Sequence, residues 1–126
     1  MAIVVGAPNI VRGGSQSGNL AASELLTRGL ADVICADYHA PSVLAAAFKV
    51  SRSGWASLPE AVRMVTLNAA RAVHLVDRGA IQPEMRADLI VVDVDGSGFP
   101  HVRASVLDGR RVFAYQPAHA PALATV

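Results

Sequence analysis

Apolar and polar positions along this chain fall into two rhythms, one ending and the other beginning near residues 75–79. Residues 2–5 are an all-apolar run stopped by Gly6-Ala7-Pro8-Asn9, the pattern of a strand covered on both faces, as in parallel sheets. Residues 9–17 read as loop, because Arg12-Gly13-Gly14-Ser15-Gln16-Ser17-Gly18-Asn19 is dense in turn formers. Asn19 is a natural N-cap for a helix over residues 20–28, with Ala21, Ala22, Leu25 and Leu26 on one stripe and Gly29 just past its end. Residues 31–36 predict a second buried strand, which ends at Asp37-Tyr38-His39-Ala40-Pro41. Strand, loop, helix and strand make a βαβ unit with a parallel pair.

Two or three helices follow. The first opens at Pro41 and Ser42, carries Val43, Leu44, Ala46, Ala47 and Phe48, and is broken by residues 51–54. Ser57-Leu58-Pro59-Glu60 has capping-box spacing and starts a second helix that runs through Val62 and Val65. Thr66-Leu67-Asn68 interrupts it, and Asn68 is expected to cap a short helix over residues 69–75. After Asp77-Arg78-Gly79 the rhythm becomes that of strands: residues 89–93, then an alternating run over 102–107. Asp108-Gly109 predicts a type I′ turn into a last strand over residues 111–115. The tail, 116–126, is rich in Pro and Ala without a pattern and is expected to fray.

Composition sharpens this picture. A chain of 126 residues is one domain's worth, or a piece of something larger, and at this size about two-thirds of the surface is buried on folding. Apolar residues make up 52% and charged ones 17%, with a mean hydropathy of +0.38, which excludes a disordered segment. Eleven Lys and Arg against ten Asp and Glu leave +1, so nothing electrostatic favours nucleic acid or an anionic membrane. Surplus apolarity without surplus charge points to surface meant to be covered by something else. Cys35 is the only cysteine, so no internal disulfide supports the fold. The apolar opening lacks a basic leader, and no run reaches the roughly 18 residues of a spanning helix. The sequence predicts a cytoplasmic location.

Among residues able to carry chemistry, Asp37 is the sharpest candidate. It stands at the carboxyl end of a predicted parallel strand, where α/β architectures place catalytic groups, and a carboxylate there can ligate a divalent cation or take a proton. The plainer reading is that Asp37 caps the helix at Pro41 or pins the turn. In the loop, Gly13 and Gly14 let amides approach an anion, Ser15 and Ser17 add hydroxyl donors, and Arg12 offers a bidentate fork. An ordinary turn is the competing reading, since no Lys-Ser/Thr closes a P-loop. His39 could join Asp37 or be a surface hydrogen-bonding group. His74, His101 and His119 show no ligand spacing, Cys35 reads as buried apolar filler, and Trp55 as packing. Asp93 and Asp95 precede Gly96 without the further acidic spacing of a calcium loop.

Taken together, Thr66-Leu67-Asn68-Ala69-Ala70-Arg71, Asp77-Arg78-Gly79-Ala80-Ile81 and Ala87-Asp88-Leu89-Ile90-Val91-Val92-Asp93 resemble the carboxyl-terminal signature of the amidohydrolase superfamily. The sequence departs at Ala69, where many relatives carry Pro; Ala is a good helix former, so little changes. The stretch from Gly6 to Asn19, with Cys35-Ala36-Asp37-Tyr38, is similar to the phosphonate-metabolism branch of that superfamily. The resemblance covers about residues 2–115.

The resemblance implies an α/β fold: the last strand–helix units of a metal-dependent TIM barrel over residues 1–78, then a small β-sandwich portion over 79–115, then a flexible tail. It implies a hydrolase that releases pyrophosphate from a phosphorylated ribose phosphonate. Asp37 would supply a ligand to a divalent metal (zinc or similar) or the base, and Arg12, Gly13, Gly14, Ser15 and Ser17 would face the phosphate chain. A complete barrel needs about 250 residues, and the superfamily's early metal-binding His motif and mid-barrel ligands are absent; His39, His74, His101 and His119 do not sit where they would. The expectation is a carboxyl-terminal fragment, inactive and without metal when alone. An amino-terminal half or self-association would complete it. The alternative is a binding module without chemistry of its own, or the complementing half of a split enzyme.

Overall fold

A computed structural model describes residues 1–14 and 21–115. Its first part runs β1 (Val4–Gly6), α1 (Ala7–Arg12), α2 (Ala22–Thr27), β2 (Val33–Cys35), α3 (Ser42–Arg52), α4 (Leu58–Val65) and α5 (Leu67–Ala72). Its second part is β3 (Leu89–Val94), β4 (Pro100–Leu107) and β5 (Arg110–Ala114).

β1 and β2 pair in parallel, Val5 opposite Ile34 and Gly6 opposite Cys35, as the βαβ pattern requires. Asp32 clips the pair at its start, its carboxylate accepting from the Ile3 amide at 2.8 Å. β1 is covered on one face only, whereas β2 has Val33 and Ile34 buried on opposite faces. On β1, Val5 is buried while Val4 beside it is 51% exposed, which corrects for this strand the expectation of cover on both sides. Cys35 is likewise exposed rather than buried filler. Val33 shares its face by strand alternation and is buried, because α5 lies at that end: Asn68 donates its side-chain amide to the Asp32 carbonyl at 2.9 Å. Cys35 lies beyond that cover.

The expected loop over residues 9–17 is in its first part the helix α1. Ile10 is fully buried and drives the turn of helix inward. Pro8 sits in the first turn, where its missing N–H costs nothing. Gly13, at φ 84°, ends the helix by donating to the Asn9 carbonyl. α2 closes as its sequence predicts: the Gly29 amide reaches Leu26 and the Leu30 amide reaches Leu25, the paired bonds of a Schellman stop. At its other end α2 starts at Ala22 with Ala21 in the N-cap position, which corrects the expectation of a helix capped by Asn19; Asn19 itself and the tail 116–126 lie outside the described residues.

Ile10, Leu26, Ile34 and Val50 are the largest fully buried side chains, drawn from α1, α2, β2 and α3. Ala46 and Ala47 on α3 and Ala61 on α4 are fully buried among them, and Trp55 packs against the edge of this cluster. The capping box of α4 forms as predicted: Ser57 Oγ accepts from the Glu60 amide, and Glu60 accepts from the Ser57 amide at 2.8 Å. The Ser57 hydroxyl also donates to Glu60 Oε2 at 2.6 Å, and this bond, with that of the Ser57 amide, holds the Glu60 carboxyl below its usual range. α5 begins two residues earlier than expected, after Thr66. Asn68 is not its cap, because its side chain is spent on β2.

The second part is one antiparallel sheet in the order β3-β4-β5, with bulges at Val91/Val92 and Ser105/Val106. The turn at Asp108-Gly109 has both residues at positive φ (51° and 76°), the type I′ geometry read from the sequence. The described residues thus hold two parallel strands and a single sheet, and neither a closed barrel nor a two-layered sandwich is present among them.

Candidate active site

Both parallel strands deliver their carboxyl ends to one place. Gly6 ends β1, and two residues past β2 the chain turns at Asp37, held at φ 52°. Aspartate tolerates this left-handed region better than most residues, since its short side chain bonds locally. The His39 amide donates to the Ala36 carbonyl at 3.0 Å, so Asp37 and Tyr38 are the central pair of one hydrogen-bonded turn.

The Asp37 carboxylate lies against Gly6. A Cβ placed on Gly6 would stand 3.1 Å from Asp37 Oδ2 and 3.7 Å from Asn9 Nδ2, so glycine is what leaves room for the carboxylate. Sequence reasoning passed over Gly6 and Asn9 as parts of a stop signal; the strand-to-helix junction they form is legible only once α1 is recognised. Helix α3 has no side-chain cap, so Asp37 is not used to cap it. Ser42 instead donates to the His39 carbonyl at 2.6 Å.

Arg12 closes α1 and donates from Nη1 to the Tyr38 hydroxyl at 2.9 Å, which ties the phosphate-contact candidate to the turn that carries Asp37. The Gly13 amide is committed to Asn9, and Lys49 Nζ donates to the Val11 carbonyl at 3.0 Å beside it. Gly13 therefore serves the end of a helix, with its N–H not available to an anion. Gly14 is exposed, with open space where a Cβ would be. Ser15 and Ser17 lie outside the described residues. His39, exposed, contributes its backbone to the turn. His101, on β4, pairs with Asp95 at 2.8 Å.

Among the described residues, no three His, Cys, Asp or Glu side chains gather to hold a cation. A catalytic zinc ion takes about three protein ligands. The residues present offer one carboxylate, so on their own they do not fit a catalytic metal. A cavity of about 590 Å³ opens between α3 and the sheet, lined by Ala40 and Pro41 just past the Asp37 turn and by Phe99 and His101 opposite.

A parallel pair with a carboxylate at its carboxyl edge and helices packed on it belongs to the class of α/β proteins that place their chemistry at strand ends. Residues 8–113 match the amidohydrolase family, and the chain belongs to that family, which is generally metal-dependent. It is 47% identical over 115 residues to the alpha-D-ribose 1-methylphosphonate 5-triphosphate diphosphatase of Escherichia coli (strain K12), covering 90% of this chain and 30% of that protein. The crystal structure of an amidohydrolase from Thermotoga maritima MSB8 superposes on 91% of this chain with a TM-score of 0.69 at 21% identity. An adenine deaminase superposes on 75% with a TM-score of 0.53 at 18% identity. At such identities the likeness is one of fold. The chain spans about a third of the length of each of these relatives (30% and 32%). No helix among the described residues is long and apolar enough to cross a membrane.

Proposed function

We propose that this chain is the carboxyl-terminal part of a cytoplasmic, divalent-metal hydrolase of phosphonate catabolism, one that releases pyrophosphate from ribose methylphosphonate triphosphate. Its barrel strands would be β1 and β2. In the assembled barrel Asp37 is a metal ligand or the base, and Arg12 with the loop after it faces the phosphate chain. The observation that carries this reading is the Asp37 carboxylate seated on Gly6, at the carboxyl ends of both parallel strands. The 47% identity to a diphosphatase supports the substrate class. A second reading, a complementing half with no chemistry of its own, draws on the single carboxylate at the site. Both readings expect the chain alone to be inactive.

Supplying the portion of the relative that this chain does not span separates them. The chain is mixed with the amino-terminal portion of the Escherichia coli relative, divalent cation is added, and pyrophosphate release is followed. Release that Asp37→Asn lowers by a factor of about 10² to 10⁴ in kcat, at an unchanged melting temperature, is the expected result. Near-normal kcat with a lowered melting temperature would make Asp37 a turn residue and leave the kinship as one of fold.

A further inference from the structure

The turn that presents Asp37 presents a second side chain, Tyr38, which the proposed reaction has not yet used. Asp37 and Tyr38 are the two central residues of the Ala36–His39 turn, so the backbone that places one places the other. Their side chains engage the same short helix at its two ends. The carboxylate rests against Gly6, just before α1, and the phenol oxygen accepts from Arg12 Nη1 at 2.9 Å on the helix's last residue. Six residues of helix are about 9 Å long, the span over which this turn fixes both groups.

Tyr38 is 62% exposed, so burial does not account for its place. The arginine side chain has several rotatable bonds, and ordering it costs rotamer entropy. A phenol oxygen on Nη1 restricts that freedom before any ligand arrives. The guanidinium has five N–H donors, and the phenol keeps its own O–H as a donor. Guanidinium and hydroxyl side by side are the donors that a phosphate oxygen takes.

We infer that Tyr38 is a positioning residue, whose hydroxyl sets the Arg12 guanidinium for the phosphate chain of the substrate. The inference rests on the diphosphatase reading for its substrate and deepens it by naming what orients the phosphate contact. In the assembled enzyme, Tyr38→Phe removes the hydroxyl and keeps the ring. KM is expected to rise about fivefold to tenfold with kcat within about twofold, and the effect to be non-additive with Arg12→Lys. A KM equal to that of the unsubstituted enzyme overturns the inference, and so does a fall in melting temperature with no change in KM.

A second measurement uses the full chain alone and inorganic tripolyphosphate as the probe. The Arg12 15Nε resonance is followed during titration, and Tyr38→Phe is expected to need about fivefold to tenfold more tripolyphosphate for the same shift. Identical titrations, or no shift in the unsubstituted chain, overturn the inference. If the titrations differ but the assembled enzyme releases no pyrophosphate from the ribose triphosphate, the diphosphatase reading fails and the role of Tyr38 toward Arg12 stands.

Discussion

The two parts of this molecule are similarly apolar in sequence and very different in what they bury. From Val5 to Ala61 the chain builds a contiguous core, and residues of α1, α2, β2 and α3 are sealed in it. From Leu89 to Ala114 only Pro100 and Ala104 are buried, and all five residues of β5 are exposed. Ile90, Val91, Val94, Val112 and Phe113 show apolar side chains to the outside. Helices laid on a parallel pair make their own cover; a lone three-stranded sheet has two faces and nothing of its own to put on them. The amino-terminal part therefore carries the stability, and the sheet is a surface suited to being covered by other elements. In the relatives this chain spans about a third of the length, which leaves ample polypeptide to do so.

Truncation on the two sides should separate them most. Leu26 is 2% exposed, and Leu26→Ala removes its methyl groups from a core that collapses only in part, at a cost of about 2–5 kcal/mol. Phe113→Ala in β5, where the ring is 47% exposed, should cost less than about 1 kcal/mol despite the larger side chain removed. Urea unfolding of both variants reads the contrast. Equal losses would mean that the sheet face is covered in solution and that the chain associates through it.

The joint between the parts is the next place to press. Gly79 has φ 96°, and a Cβ there would stand 2.8 Å from the Leu67 Cα and 3.1 Å from the Thr66 carbonyl, both backbone atoms of the first turn of α5. Gly79→Ala meets the strain of a positive φ and a contact that no rotamer relieves, about 1–3 kcal/mol together. The comparison is sharpened by where the loss appears. Faster amide exchange confined to β3, β4 and β5, with the α1–α4 core still protected, would show that the joint holds the sheet; exchange raised throughout would show that the two parts melt as one.

Local signals in the sequence identify most of the frame. Gly29, the Ser57–Glu60 box and Asp108-Gly109 each work within a few residues, and each stands in the structure where the pattern puts it. The misses have a common cause, which is that tertiary cover decides them. Asn9, Gly13 and Gly14 carry turn chemistry, yet burial of Ile10 makes α1 of the segment before Gly13. Cys35 looks buried by alternation and is not, because α5 reaches only the Asp32 end of β2. Asp37 is readable as a strand-end carboxylate, whereas its seat on Gly6 and the bond from Arg12 to Tyr38 join residues 31 and 26 positions apart, which no local pattern encodes.

The smallest expected effect lies in the sheet, at the β3–β4 connection. Asp95 Oδ1 accepts from the Ser97 hydroxyl at 2.6 Å and from the amides of Ser97 and Phe99, while Oδ2 meets His101 Nε2 at 2.8 Å. These bonds, the Ser97 hydroxyl foremost and then His101 and the Phe99 amide, hold its carboxyl well below the ordinary carboxylate range. A carboxyl depressed in the folded state adds stability above its unfolded pKa of about 3.9, and that contribution is lost as pH falls through the lower folded value. The site is exposed and screened, so the effect on global melting is minor and the local readout is the sensitive one. Amide exchange at Ser97 and Phe99 should be faster in Asp95→Asn than in the unsubstituted chain at neutral pH. The gap should narrow only below about pH 4, as the carboxylate takes up its proton. A gap that closes already between pH 7 and pH 5 would mean that the Asp95 carboxylate does not hold this connection together.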